Sequence, residues 1–308
     1  MTDPREPQRQ SDERSERLPV RKTYKLYIGG EFPRSESGRS YPVNDERGAL
    51  LAWAVRGSKK DLREAVRAAR SAWLGWSGKT AYNRGQVLYR VAELMEGRRA
   101  QFVDEVALAG VRDPDREVEA AIDRWVWYAG WSDKVHHVLG TVNPVAAPYF
   151  NFTIPESMGV VGVVAPEEAP LLGLVSRLAP AIVSGNTAVV LASERWPLAA
   201  VTLTEVLATS DVPGGVVNVL TGFKAELIPW LAGHMDVNAV DLTGVPEHLR
   251  YEVEQLGAEN VKRLVGVRKA ADGDGGSDGA DFFSDRAQSP YDITALMEMK
   301  TVWHPMGA

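Results

Sequence analysis

The sequence predicts an α/β fold built on a doubly wound parallel sheet, on three observations. Between Met158 and Val267 short apolar runs alternate with segments of helical length, the order that parallel sheets require. Those runs are apolar throughout rather than on every second residue, as strands covered on both faces must be. At 308 residues, 44% hydrophobic and 25% charged, the chain is long enough to bury a sizeable core without staples.

Residues 1–21 are charged and polar and are expected to be a disordered tail. Lys22 to Ile28 alternates and runs into Gly29-Gly30, which reads as a strand and a tight turn. Ser58, with Asp61 three residues on, caps a helix that buries Leu62, Val66, Ala69 and Trp73. A second helix is expected over 81–109 and a third over 115–138. Trp125, Trp127 and Trp131 fall at mixed helical spacings and read as packing residues.

Tyr149 to Pro155 alternates as a strand, and Met158 to Val164 reads as a buried one. Helices follow over 171–184, 198–210, 225–233 and 246–256, with strands over 187–191, 216–220, 237–242 and 261–267. The run from Asp272 to Gly279 is Gly- and Asp-rich, so 268–290 is expected to be a flexible acidic linker. Within 291–308, Ala295 to His304 alternates as a lone strand that must pair with an edge elsewhere.

A net charge of −6 argues against nucleic-acid binding. No apolar run reaches the length of a membrane span and Met1–Arg17 has no signal-peptide core, so a cytoplasmic protein is expected. There is no cysteine, hence no disulfide, no thiolate metal site and no thiol nucleophile. Of five histidines only His136 and His137 adjoin, so no metal site is expected.

Several ordered words resemble the aldehyde dehydrogenase superfamily. They are Gly159-Val160-Val161-Gly162-Val163-Val164, Leu178-Ala179-Pro180-Ala181, Gly185-Asn186-Thr187, Ser193-Glu194, Pro213 to Val219, Thr221-Gly222 and Leu242-Thr243-Gly244. The resemblance spans Tyr24 to Val267 and returns around Met299–Trp303. It implies a Rossmann-like nucleotide-binding half over 22–267, an oligomerisation hairpin at about 143–158 and a C-terminal oligomerisation strand, with the catalytic half replaced by the linker. In this the chain is most similar to the degenerate, non-catalytic C-terminal unit of family-16 aldehyde dehydrogenases.

The departures bear on function. The family's nucleophilic cysteine is absent. Its oxyanion-binding Asn is matched by Glu168 in Pro166-Glu167-Glu168-Ala169-Pro170, and a carboxylate cannot donate a hydrogen bond. No Glu matches the family's general base near Arg263–Gly266. The resemblance carries Pro166, Glu194, Gly222, Thr243 and Gly244 over as residues of a site for NAD or NADP. That site is eroded: Leu191 stands for a ribose-binding Lys, Val245 for a Ser, and Lys224 for a Gly. Losing two or three contacts of about 1 kcal/mol each lowers affinity by about a hundredfold.

Three functions follow as expectations. The first is a non-catalytic subunit that forms a homo-oligomer, or a hetero-oligomer with an active aldehyde dehydrogenase, through hairpin and terminal strand. The second is an oxidoreductase of altered activity with Glu167 and Glu168 as an acid–base pair, against which both read as solvated loop carboxylates. The third is an NAD(P)-binding sensor.

Overall fold

A computed structural model describes residues 20–266 and 281–307. The expected tail up to residue 19 and the Asp272–Gly279 stretch lie outside the described residues.

The chain opens with a small sheet of order β1-β3-β2, made of β1 (Thr23–Tyr24), β2 (Ser40–Asn44) and β3 (Leu50–Val55). The strand expected over Lys22–Ile28 is corrected to its first part. Only Thr23 and Tyr24 pair with β3, and Tyr27 then crosses to the main sheet, exchanging two backbone bonds with Val219 at 2.9 and 2.7 Å. β2 and β3 are additions to the expected elements, although Tyr41/Val43 and Ala52/Ala54 alternate into the interior.

Helix α1 (Lys59–Ser77) starts at the predicted cap. Ser58 accepts the Asp61 amide and Asp61 accepts the Ser58 amide, which satisfies two otherwise orphaned donors. Its innermost tryptophan is Trp76, whereas Trp73 is partly exposed. The helix expected over 81–109 is two, α2 (Ala81–Gly97) and α3 (Arg99–Leu108), because Arg98 leaves helical geometry after Gly97 at φ −116°, ψ 16°. The one expected over 115–138 likewise divides into α4 (Pro114–Trp131) and α5 (Lys134–Leu139), separated at Ser132-Asp133.

The central sheet is parallel, of order β10-β9-β6-β7-β8, with β6 (Val160–Val164), β7 (Thr187–Leu191), β8 (Val217–Leu220), β9 (Ala239–Asp241) and β10 (Arg263–Val265). Between them run α6 (Leu172–Val183), α7 (Leu198–Thr209), α8 (Lys224–Gly233) and α9 (Glu247–Ala258). Successive strand residues point to opposite faces. Val161, Val163, Ala188 and Val190 pack with α2, α4 and α6; Val160, Val164, Val189 and Leu191 pack with α1 and α8. Helix α6 is buried on every side, consistent with its lack of a polar face.

A third sheet, order β11-β5-β4, contains β4 (Thr141–Asn143), β5 (Tyr149–Ser157) and β11 (Met297–Pro305). The terminal strand thus pairs within its own chain, antiparallel to β5 from Met297–Ser157 to Pro305–Tyr149. Residues 281–296 are docked rather than extended. They contain a 3-10 turn, Asp285–Ala287, and helix α10 (Pro290–Thr294), and they bury Phe282, Ile293 and Leu296. Arg124 holds this segment by donating to Phe282 O at 2.8 Å and Ala287 O at 2.5 Å. No helix among the described residues is long and apolar enough to cross a membrane.

Candidate functional site

In the central sheet the strand order reverses between β6 and β9: β7 and β8 lie to one side, β9 and β10 to the other. An open α/β sheet binds ligands outside the carboxyl ends of its strands at such a switch point. The five predicted site residues lie on loops at the carboxyl ends of four strands, three of them beside the switch point. Pro166 follows β6, Glu194 follows β7, Gly222 follows β8, and Thr243 and Gly244 follow β9.

The loops after β6 and β9 touch closely. The Gly244 amide donates to Val164 O at 3.1 Å, and a Cβ on Gly244 would lie 2.2 Å from Ala165 O. The Thr243 amide donates to Asp241 Oδ1 at 2.9 Å. Gly222 has φ +145° and abuts Gly57, where a Cβ would come within 3.1 Å of the amide nitrogen; glycine is the residue that tolerates both conditions.

Glu167 and Glu168 diverge. Glu168 is exposed, as expected of a loop carboxylate. Glu167 is half-buried: it accepts Ser193 Oγ at 2.6 Å, the Glu194 amide at 3.1 Å and the Arg195 amide at 3.2 Å, and pairs with Lys224. Burial pushes the Glu167 carboxyl up, but the Lys224 ammonium and these donors outweigh it and hold it below its ordinary range. Two carboxylates that point apart do not form an acid–base pair.

Lys224, the first residue of α8, is only 3% exposed. Its Nζ donates to Ala165 O at 2.6 Å and to Gly244 O at 3.3 Å. Its own amide donates to Glu194 Oε2 at 2.8 Å, so the Glu194 carboxylate caps α8 from the connection after β7. The resemblance assigns Glu194 to a ribose; in this structure its carboxylate serves the helix. The inward role of Glu167 is not among the sequence expectations, and the available signal was a charged pair straight after a fully apolar strand.

Two cavities lie elsewhere among the described residues. A groove of about 620 Å³ runs along α2 and α4, lined by Tyr82, Gln86, Tyr89 and Val126. A smaller one of about 230 Å³ sits between α1 and α8, beside Arg56, Lys59 and Trp230. None of the five predicted site residues lines either.

Strand order and the helices on both faces define a doubly wound, Rossmann-like α/β sheet. The sequence model of the aldehyde dehydrogenase family matches residues 33–266, and the chain belongs to that family. It is 34% identical over 249 residues to retinal dehydrogenase 2 of Homo sapiens, an alignment covering 78% of this chain and 48% of that protein. It is 32% identical over 252 residues to the mitochondrial benzaldehyde dehydrogenase of Antirrhinum majus, covering 78% and 46%. Among solved structures, HpcC from Thermus thermophilus superposes with a TM-score of 0.76 at 31% identity, over 80% of this chain and 48% of that one. The NAD+ complex of an aldehyde dehydrogenase from Bacillus cereus gives 0.74 at 28%, over 80% and 50%. The chain spans about half the length of the curated relatives it matches.

Proposed function

We propose that this chain is a catalytically degenerate aldehyde dehydrogenase relative that acts as an assembly subunit, akin to the non-catalytic unit of family-16 members. The observation that carries the proposal is the β11-β5-β4 sheet. β11 is an edge strand whose outer side has no partner among the described residues. The register places Val142, Phe152 and Val302 on one face, with Phe150 beside Phe152 at a ring separation of 5.3 Å. Val142 is 68% exposed and Trp303, on the opposite face, 58%. A nine-residue edge strand next to exposed apolar side chains is a template for strand addition by another chain. The assembly is a homo-oligomer, or a hetero-oligomer with an active family member.

The absence of chemistry supports the same reading. A sequence with no cysteine cannot form the thioester through which the resemblance implies aldehyde oxidation. The Glu168 carboxylate, at the position matching the oxyanion donor, repels rather than stabilises an oxyanion. Light scattering and native mass spectrometry of the purified chain, alone and mixed with an active family member, test the proposal. The expected result is an oligomer that Phe152→Glu or Val302→Arg dissociates while the circular dichroism spectrum stays folded. A wild-type chain that remains monomeric in both settings, or that oxidises an aldehyde with NAD by itself, refutes it.

A further inference from the structure

The residues in the crevice do not fit the dinucleotide that the fold implies. We infer that Lys224 is a built-in ligand of the switch-point crevice that closes it to NAD and NADP.

The Lys224 ammonium bridges the two strand ends that flank the switch point, bonding Ala165 O after β6 and Gly244 O after β9. It is also paired with Glu167, which is tied down by Ser193 and two backbone amides. Widening the space would break the bond from the Gly244 amide to Val164 O at 3.1 Å, which ties the two loops together.

The anion position is also taken. The first amide of a helix facing such a crevice is where a phosphate gains most from the helix dipole. In this chain that amide, on Lys224, is bonded to the Glu194 carboxylate. Glu167 and Glu194 together with Lys224 leave a net negative charge, so a diphosphate meets repulsion at short range. Expelling the lysine side chain would take one donor from two carbonyls and the ion-pair partner from a half-buried carboxylate, a cost that a ligand would have to offset. The inference holds whether or not the chain assembles, because the crevice and the β11-β5-β4 sheet share no residue.

Calorimetric titration with NAD and with NADP, paired with thermal shift, tests the inference on wild type, Lys224→Gly, and Lys224→Gly with Glu167→Gln. Wild type is expected to be silent at millimolar ligand. Lys224→Gly opens the crevice but leaves Glu167 facing the phosphates. The double variant, with that charge removed, is expected to bind about a hundredfold more tightly than wild type. Submillimolar binding by wild type overturns the inference, and so does a folded double variant that stays silent. A measurement on wild type alone guards against variants that fail to fold. In limited acetylation read by mass spectrometry, Lys224 is expected to react far more slowly than the exposed Lys60 and Lys134. Equal rates would mean that the ammonium does not occupy the crevice.

Discussion

Arg177 and Asp241 form an ion pair with side chains 6% and 0% exposed: both Nε and Nη2 of Arg177 reach Asp241 Oδ2, at 2.7 and 2.6 Å. The second Asp241 oxygen accepts the Thr243 amide, and Arg177 Nη1 extends to Asp292 on α10 at 3.4 Å. Asp292 also accepts Tyr128 Oη at 3.3 Å. One guanidinium thus joins α6, the end of β9 and the C-terminal segment. Burial opposes its charge, but Asp241 and Asp292 outweigh burial and strengthen its hold on the proton.

Removing one partner strands the other without compensation. Arg177→Met is expected to cost about 3–5 kcal/mol, or roughly 10 °C at 2–4 °C per kcal/mol. Arg177→Met with Asp241→Leu is expected to recover much of that loss. Thermal and urea denaturation of the two variants check this; a double variant no more stable than the single one contradicts it.

Glu117 of α4 caps α6 from a distance. Its Oε1 accepts the Leu171 and Leu172 amides at 2.9 and 3.2 Å, and its Oε2 is buried without a partner among the described residues. Burial pushes this carboxyl up against the pull of the two amides. A carboxyl raised in the folded state contributes stability that is full below its unfolded value and is lost as pH rises through the folded one. Glu117→Gln is therefore expected to flatten the pH dependence above about pH 4.5 while keeping the acceptor. Glu117→Ala leaves two buried amides unpaired and costs about 1–3 kcal/mol. Urea titrations across that pH range decide between these outcomes and no effect.

Lys262 donates to His234 O at 2.7 Å and Asn260 Oδ1 at 2.6 Å, and burial lowers its pKa to about 8. An amine depressed in the folded state opposes folding below that value. As pH rises from about 8 to its ordinary 10.5, the unfolded chain binds more protons and stability from this group increases. The side-chain carbon resonances of Lys262 are expected to titrate near pH 8; a midpoint near the ordinary lysine value of 10.5 would contradict this.

Two glycines give opposite responses. Gly244→Ala drives a Cβ to 2.2 Å from the Ala165 carbonyl oxygen and must shift backbone, a strain of about 1–3 kcal/mol. Gly75, within α1, has nothing within 4 Å of such a Cβ, so Gly75→Ala is expected to stabilise by about 0.5–1 kcal/mol. Paired chemical melts show whether the signs differ.

Much of the fold is legible in the sequence. β7 falls at its predicted bounds, and α6, α7 and α9 within a residue or two, because apolar strands and apolar helix faces write themselves into local pattern. The breaks at Arg98 and Ser132 are not legible, since a helix interrupted by a single turn keeps nearly the same apolar spacing. β2 and β3 carry alternation, but each is too short for it to stand out from its polar surroundings. The five candidate residues lie on strand-end loops as the resemblance implies, yet the contacts made there are invisible locally: Glu167 reads as half of a solvated pair, and its Ser193, Glu194 and Arg195 donors come from 26 to 28 positions away.

By itself the sequence determined the doubly wound α/β class, the position of the strand-end loops and the absence of a thiol. It does so because apolar periodicity and residue inventory are local properties. Only the tertiary structure decided that β11 closes on β5 of the same chain, that Asp292 is anchored by Arg177, and that Lys224 reaches back to the ends of β6 and β9. Each of these contacts joins residues at least 20 positions apart, and a contact of that kind exists only once packing has chosen which segments meet.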